Sequence, residues 1–171
     1  MPQPNVFTSE GNIIEMYKHP TIEGKQYLEA PELQKVAQQV MDNKNIEIKP
    51  AQVGYMLVYP NISTLTASKT VKASALVTHY SGNNFIVMIS GELWDMLDQE
   101  TRETLVWHQL LHIDARYNEK SREWKYSLRK HDYSDFYEIL KSEGARWYQV
   151  VQSVMSSLYD LDPRQESKVK I

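Results

Sequence analysis

Two histidines four residues apart, His108 and His112, lie in the run Trp107-His108-Gln109-Leu110-Leu111-His112-Ile113-Asp114. In a helix, positions i and i+4 sit one above the other on a single face. Two imidazoles so stacked can hold one metal ion from the same side, and an ion held this way can activate water for hydrolysis. That chemistry also needs a proton acceptor, which in such helices is a glutamate directly after the first histidine. Here that position holds Gln109. A neutral amide keeps the shape and can hydrogen-bond a water, but it has no useful basicity. Loss of a positioned general base costs about 10²–10⁴-fold in rate. The spacing therefore predicts metal binding with little or no hydrolysis. Glu→Gln is a near-isosteric change of the kind chosen to trap substrate or avoid toxicity, so an engineered inactive form is the first reading and a natural pseudoenzyme the other.

A catalytic zinc takes three protein groups and leaves one position for water. The remaining histidines are His19, His79 and His131. His131 stands 131 − 112 = 19 positions after His112, just before an expected helix cap, and is the third ligand we expect. Asp132 beside it is the residue expected to orient an imidazole from behind. Asp135 and Glu138 are carboxylate substitutes should His131 point away. His79 falls on an expected hairpin and reads as surface. Tyr117, Tyr126, Tyr133 and Arg116 are candidates to stabilise an oxyanion, although among eleven tyrosines most must serve packing or surface. The plain alternative is a solvent-facing or salt-bridged histidine pair, with Gln109 an ordinary polar helix residue.

These side chains need a frame. Pro31 opens a helix whose Leu33, Val36, Ala37, Val40 and Met41 recur at helical spacing. Residues 53–59, 73–80 and 85–89 read as strands, the last two as a hairpin about the turn residues 81–84. The Ser/Thr-rich run 62–71 reads as a loop. Ser90 and Asp98 are N-cap residues, the second for the histidine helix, expected to carry Leu105 to Ala115. Residues 117–130 read as an exposed cationic connection, and a long last helix follows from Asp132 or Ser134, with Phe136, Ile139, Leu140, Trp147, Val151, Val154 and Leu158 as its stripe. Residues 1–30 read as an N-terminal arm with a helical turn around 13–17, residues 31–162 as one domain, and residues 163–171 as a flexible tail. The expected fold class is α+β and zincin-like: a small three-stranded, mostly antiparallel sheet on a motif helix and a long C-terminal helix. In that layout an edge strand pairs with extended peptide beside the metal, and 85–89 is the expected edge, with Phe85, Val87 and Ile89 as substrate-binding residues.

Composition sets outer bounds. The chain has 171 residues, enough for one domain, 42% hydrophobic and 24% charged, with a net charge of −3. That charge names no partner, and nucleic-acid binding is not signalled by it. With no cysteine, any metal must be held by histidines and carboxylates. The start shows no charged-then-apolar leader, and no apolar run approaches membrane-spanning length. A soluble protein of the cytoplasm is the expectation.

The stretch from about 85 to 136 resembles the phage metallopeptidase family, related to the SprT-like zinc proteases. The resemblance is carried by strand 85–89, by Trp94 with Leu97, by the segment from Glu103 to Ile113 around the two histidines, and by His131-Asp132-x-x-Asp135-Phe136 downstream. It implies one zinc per chain at His108, His112 and His131, hydrolysis of a protein or peptide substrate, and, for a phage protein, the host cytoplasm. The chain departs from that pattern at Gln109, and it lacks the cysteine zinc ribbon of some SprT-like proteins. Two competing functions remain: a non-catalytic protein-binding module with a structural metal, and a nucleic-acid-associated protein using the basic stretch 120–130.

Overall fold

The computed structural model describes residues 24–132 and 135–171, together with two antiparallel strands, β1 (Val6–Ser9) and β2 (Asn12–Glu15). The chain continues as β3 (Gln26–Glu29), α1 (Pro31–Lys44), β4 (Val53–Tyr59), β5 (Ser68–Lys72), α2 (Ala75–Ser81), β6 (Phe85–Ser90), α3 (Gly91–Met96) and α4 (Gln99–Leu111). Then follow β7 (Ile113–Asn118), β8 (Glu123–Leu128), α5 (Tyr137–Glu143), α6 (Arg146–Tyr159) and α7 (Pro163–Glu166). The helical turn expected around 13–17 begins instead in β2; its last two residues, His19, Tyr133 and Ser134 lie outside the described residues.

The class is α+β, with a four-stranded sheet in the order β3-β4-β6-β5, where three strands were expected. β4 and β6 run parallel, and the other pairs antiparallel. β3 comes from the segment read as an arm and pairs antiparallel with β4. β5 comes from the stretch read as a loop, where Ser68 and Thr70 alternate with exposed Lys69 at the two-residue period of a half-buried strand. Residues read as the partner strand form α2 instead. Ser74 caps it by accepting from the Val77 amide, and Gly82 ends it at φ 75°.

This topology overturns the edge-strand expectation. β6 is bordered by β4 and β5, and Phe85, Val87 and Ile89 are fully buried. Their side chains fill the core and their backbone is already paired, so no substrate lies along them. The sheet's outer strand on that side is β5.

Helix α4 packs on the same sheet face. Asp98 caps it with a 2.7 Å bond from the Thr101 amide, and its residues from Thr104 to Leu110 are all buried. α1 lies against it, presenting Leu33, Val36, Ala37 and Val40. Full burial of one such leucine is worth about 1.5–3 kcal/mol. α4 stops earlier than expected: His112 is its C-cap and Ile113 already belongs to β7. The stretch read as a connection is thus the β7–β8 hairpin, in register from Ile113↔Leu128 to Asn118↔Glu123. The long last helix is likewise two. Gly144, at φ 66° and ψ −159°, breaks it in a conformation that side chains resist. Ser90 heads α3, but its hydroxyl ties Thr66 and Ile62 together rather than capping.

The expected flexible tail is held to the body. Asp162 and Gln165 form a reciprocal cap on α7, Val169 is 3% exposed, and the Lys170 backbone bridges Leu65 and Ala67. Among the described residues, no helix is long and apolar enough to cross a membrane.

Candidate metal centre

Three elements deliver the three expected imidazoles to one point. His108 comes from the last full turn of α4, His112 from its C-cap, and His131 from the segment that returns from β8. The hairpin is what closes the gap in sequence: the His112 carbonyl accepts from the Arg129 amide at 2.7 Å, which brings residue 131 back over the helix end. The Nε2 atom of His131 lies 3.0 Å from Nε2 of His108 and 3.0 Å from Nε2 of His112. His108 is fully buried, and the other two are half-buried. Phe136, fully buried, supports the group from one side, its ring centroid 4.9–5.2 Å from each imidazole.

The outward nitrogens decide which way the lone pairs point. Nδ1 of His108 sits 2.7 Å from Oδ1 of Asp135, and Nδ1 of His112 sits 2.8 Å from the Arg129 carbonyl oxygen. Each contact calls for N–H on Nδ1, so in the neutral rings both Nε2 atoms present bare lone pairs. Both face Nε2 of His131, which can supply at most one proton, so the three nitrogens cannot satisfy each other. A cation between them satisfies all three. Nitrogens bound to a tetrahedral zinc at about 2.0–2.1 Å are separated by about 3.3 Å, close to the 3.0 Å of the two pairs that His131 makes, and the ligand atoms of all three rings lie within 4.8 Å of one another. The donor set fits a metal ion, and imidazoles without thiolates suit several divalent first-row metals.

Asp135, rather than Asp132, is the carboxylate behind an imidazole. It is 3% exposed, and besides His108 it accepts from the Phe136 amide at 2.7 Å and from the Trp147 indole at 3.2 Å. Asp132 turns away toward the guanidinium of Arg129 at 2.9 Å and the Tyr137 amide at 3.1 Å. The Tyr137 bond first, and then Arg129, hold its carboxyl below the usual carboxylate range. Glu138 is engaged by the same guanidinium. The sequence offered both aspartates beside His131. The choice between them depended on where the backbone turns into α5.

Gln109 is fully buried and both ends of its amide are held by β5. Its Nε2 donates to Ser68 Oγ at 2.7 Å, and its Oε1 accepts from Thr70 Oγ1 at 2.8 Å. Serine and threonine hydroxyls can each donate or accept, so the same pair would serve a glutamate by donating twice. Neither residue was legible as part of the site, because the strand that carries them read as loop.

Burial dominates the electrostatics. It pushes the His112 imidazole down to about 4, with the Arg129 carbonyl pulling back upward and the other two histidines adding to the fall. His131 is lowered as well, first by burial and then by His108. Both shifts favour the neutral, ligand-competent ring. Of the oxyanion candidates, Arg116 pairs with Asp114 at 2.9 Å, and Tyr117 and Tyr126 lie on the hairpin, where Tyr126 packs edge-on against Phe85. His79 is on the surface as expected, though on helix α2.

No curated protein and no solved structure matches the chain. A family model does: the one described as "Putative phage metallopeptidase" matches residues 25–159, more than three quarters of the length. The match starts one residue before β3 and ends with α6, so it spans the whole sheet, both faces of the histidine cluster and Asp135. Fold, histidine triad and family match cover the same residues, and the chain belongs to that family of phage metallopeptidases.

Proposed function

We propose that the protein is a zinc-peptidase scaffold whose water-activating base is missing. His108, His112 and His131 would hold one zinc per chain, with Asp135 orienting His108 and the Arg129 carbonyl orienting His112. The observation that carries this reading is the convergence of three imidazoles, Nε2 of His131 lying 3.0 Å from Nε2 of both His108 and His112, with two outward nitrogens locked as donors. When bound, the ion supplies Lewis-acid polarisation and a lowered water pKa. The chain's own contribution is positional: Phe136 and Trp147 keep water from the back of the cluster, and Ser68 and Thr70 fix residue 109. A glutamate there would take the water's proton and return it to the leaving amine. Gln109 cannot, so the chain as written binds and does not cut. The family's description supports a phage protein with a protein or peptide substrate, and the host cytoplasm is the setting this reading assigns to it.

The test is metal content followed by repair. The purified chain should carry one zinc, His108→Ala far less, and Gln109→Glu should gain chelator-sensitive cleavage of an unstructured protein such as casein. A Gln109→Glu protein that binds zinc and cuts nothing, neither casein nor host or phage lysate, would leave the second reading, a binding module with a structural metal. That reading draws on the buried, doubly bonded Gln109 amide, which is as well accommodated as a carboxylate would be.

A further inference from the structure

The hairpin inserted between the second and third histidines is more than a connection. Residues 113–130 carry six cations and three anions, a charge of +3 in a chain of −3, so the rest carries −6. Its two faces differ in chemistry. On one, Tyr117 and Trp124 are cross-strand partners with ring centroids 5.5 Å apart, and both stay exposed, at 50% and 44%. On the other, Arg116 stands directly opposite Lys125. Like charges in that position destabilise a strand pair, and Asp114 offsets Arg116 alone. Lys72, at the end of β5, faces the hairpin across an open cleft of about 880 Å³. Lys72, Lys120 and Lys125 make no ion pair among the described residues. Within its sheet β8 is hydrogen-bonded on one side, to β7, and part of β8 also approaches β5 without pairing with it; its residues Glu123 to Lys125 are exposed.

We propose that the β8 edge left unpaired by β7, at its exposed end from Glu123 to Lys125, is a docking strand for an extended segment of protein substrate in which acidic and aromatic or aliphatic residues alternate. A strand added to that edge sends successive side chains to opposite faces. One set would meet the Trp124 and Tyr117 rings, and the other would meet Lys125 and Arg116, with Lys72 and Lys120 at the margins. The anion relieves the cationic cross-strand pair, and the aromatic face loses its exposure. A nucleic acid suits the surface less well: strong binding needs a track of several phosphate contacts, whereas three unpaired lysines sit in one cleft on an otherwise acidic chain. The segment is called a substrate on the strength of the peptidase reading, and the docking itself does not need the metal.

The experiment measures binding by the full chain, metal-free and zinc-loaded, of a short fluorescein-labelled peptide of alternating glutamate and tyrosine. Comparators are the same composition in block order, alternating lysine and tyrosine, and an oligothymidylate. The alternating acidic peptide should bind in both metal states and quench Trp124, since Trp94, Trp107 and Trp147 are buried. Block order, the combined variant Lys72→Glu, Lys120→Glu, Lys125→Glu, and Trp124→Ala should each weaken it by about tenfold. Circular dichroism checks that the variants fold. Equal binding of the block peptide, indifference to charge reversal, or tighter binding of oligothymidylate would overturn the assignment. Peptide binding with no cleavage by Gln109→Glu would sink the peptidase reading and leave this one; zinc loading without peptide binding would do the reverse.

Discussion

Replacing Asp135 with asparagine isolates the carboxylate behind the histidine cluster. Asp135 receives three donors: His108 Nδ1 and the Phe136 amide at Oδ1, and the Trp147 indole at Oδ2. Asparagine offers one acceptor oxygen. Set toward His108 and Phe136, it turns its NH₂ against the indole N–H; flipped, it turns NH₂ against the imidazole. Either way a buried donor faces a donor, at a cost of about 1–3 kcal/mol. The negative charge behind the His108 ring is lost as well, and removal of such a partner lowers metal affinity by about 10–100-fold, or about 1.4–2.7 kcal/mol. The assay is competition for zinc against a chromophoric chelator near pH 7.5, with denaturation of the metal-free protein as a separate measure of folding. Asp132→Asn is the control, because Asp132 faces Arg129 and solvent; it should leave zinc affinity within about twofold. If Asp135→Asn binds zinc as the parent does while His108→Ala does not, Asp135 does not position the ligand. If Asp132→Asn is the weaker binder, the roles of the two aspartates are reversed.

Two further outcomes follow from the geometry. The folded His112 value of about 4 lies below the ordinary 6.5, so between these values the unfolded chain binds more protons. Metal-free protein should therefore lose stability as pH falls through that window, with no contribution from this group above it, and His112→Asn should show a shallower fall; a parent midpoint that is flat or rises on acidification contradicts the burial of that ring. Gly144→Ala should lower the denaturation midpoint by the equivalent of about 1–3 kcal/mol, since its φ of 66° and ψ of −159° are closed to a side chain; an unchanged or raised midpoint would mean the α5–α6 break is not imposed at this residue.

The local features of the site were legible because they follow from spacing and capping. His108 and His112 share a helix face by periodicity alone, Asp98 caps that helix as its type and place require, and the α1 stripe from Leu33 to Val40 is buried as its spacing demands. His131 was reachable as the downstream histidine. What the sequence could not carry was pairing between distant segments. β5 has Ser, Thr and Lys where a strand signal expects apolar residues, and it becomes a strand because β6 offers it a ladder and α4 offers Gln109 to its hydroxyls. Its arrival moved the sheet edge away from Phe85, Val87 and Ile89 and into the strand that holds Gln109. The 117–130 stretch had the composition of a solvated linker, and its pairing as a hairpin is what returns His131 to the helix end. The choice of Asp135 over Asp132 rested on a single turn of backbone into α5. Residue types and short-range periodicity thus set which groups could meet a metal, and long-range hydrogen bonding decided which of them converge and what stands behind each.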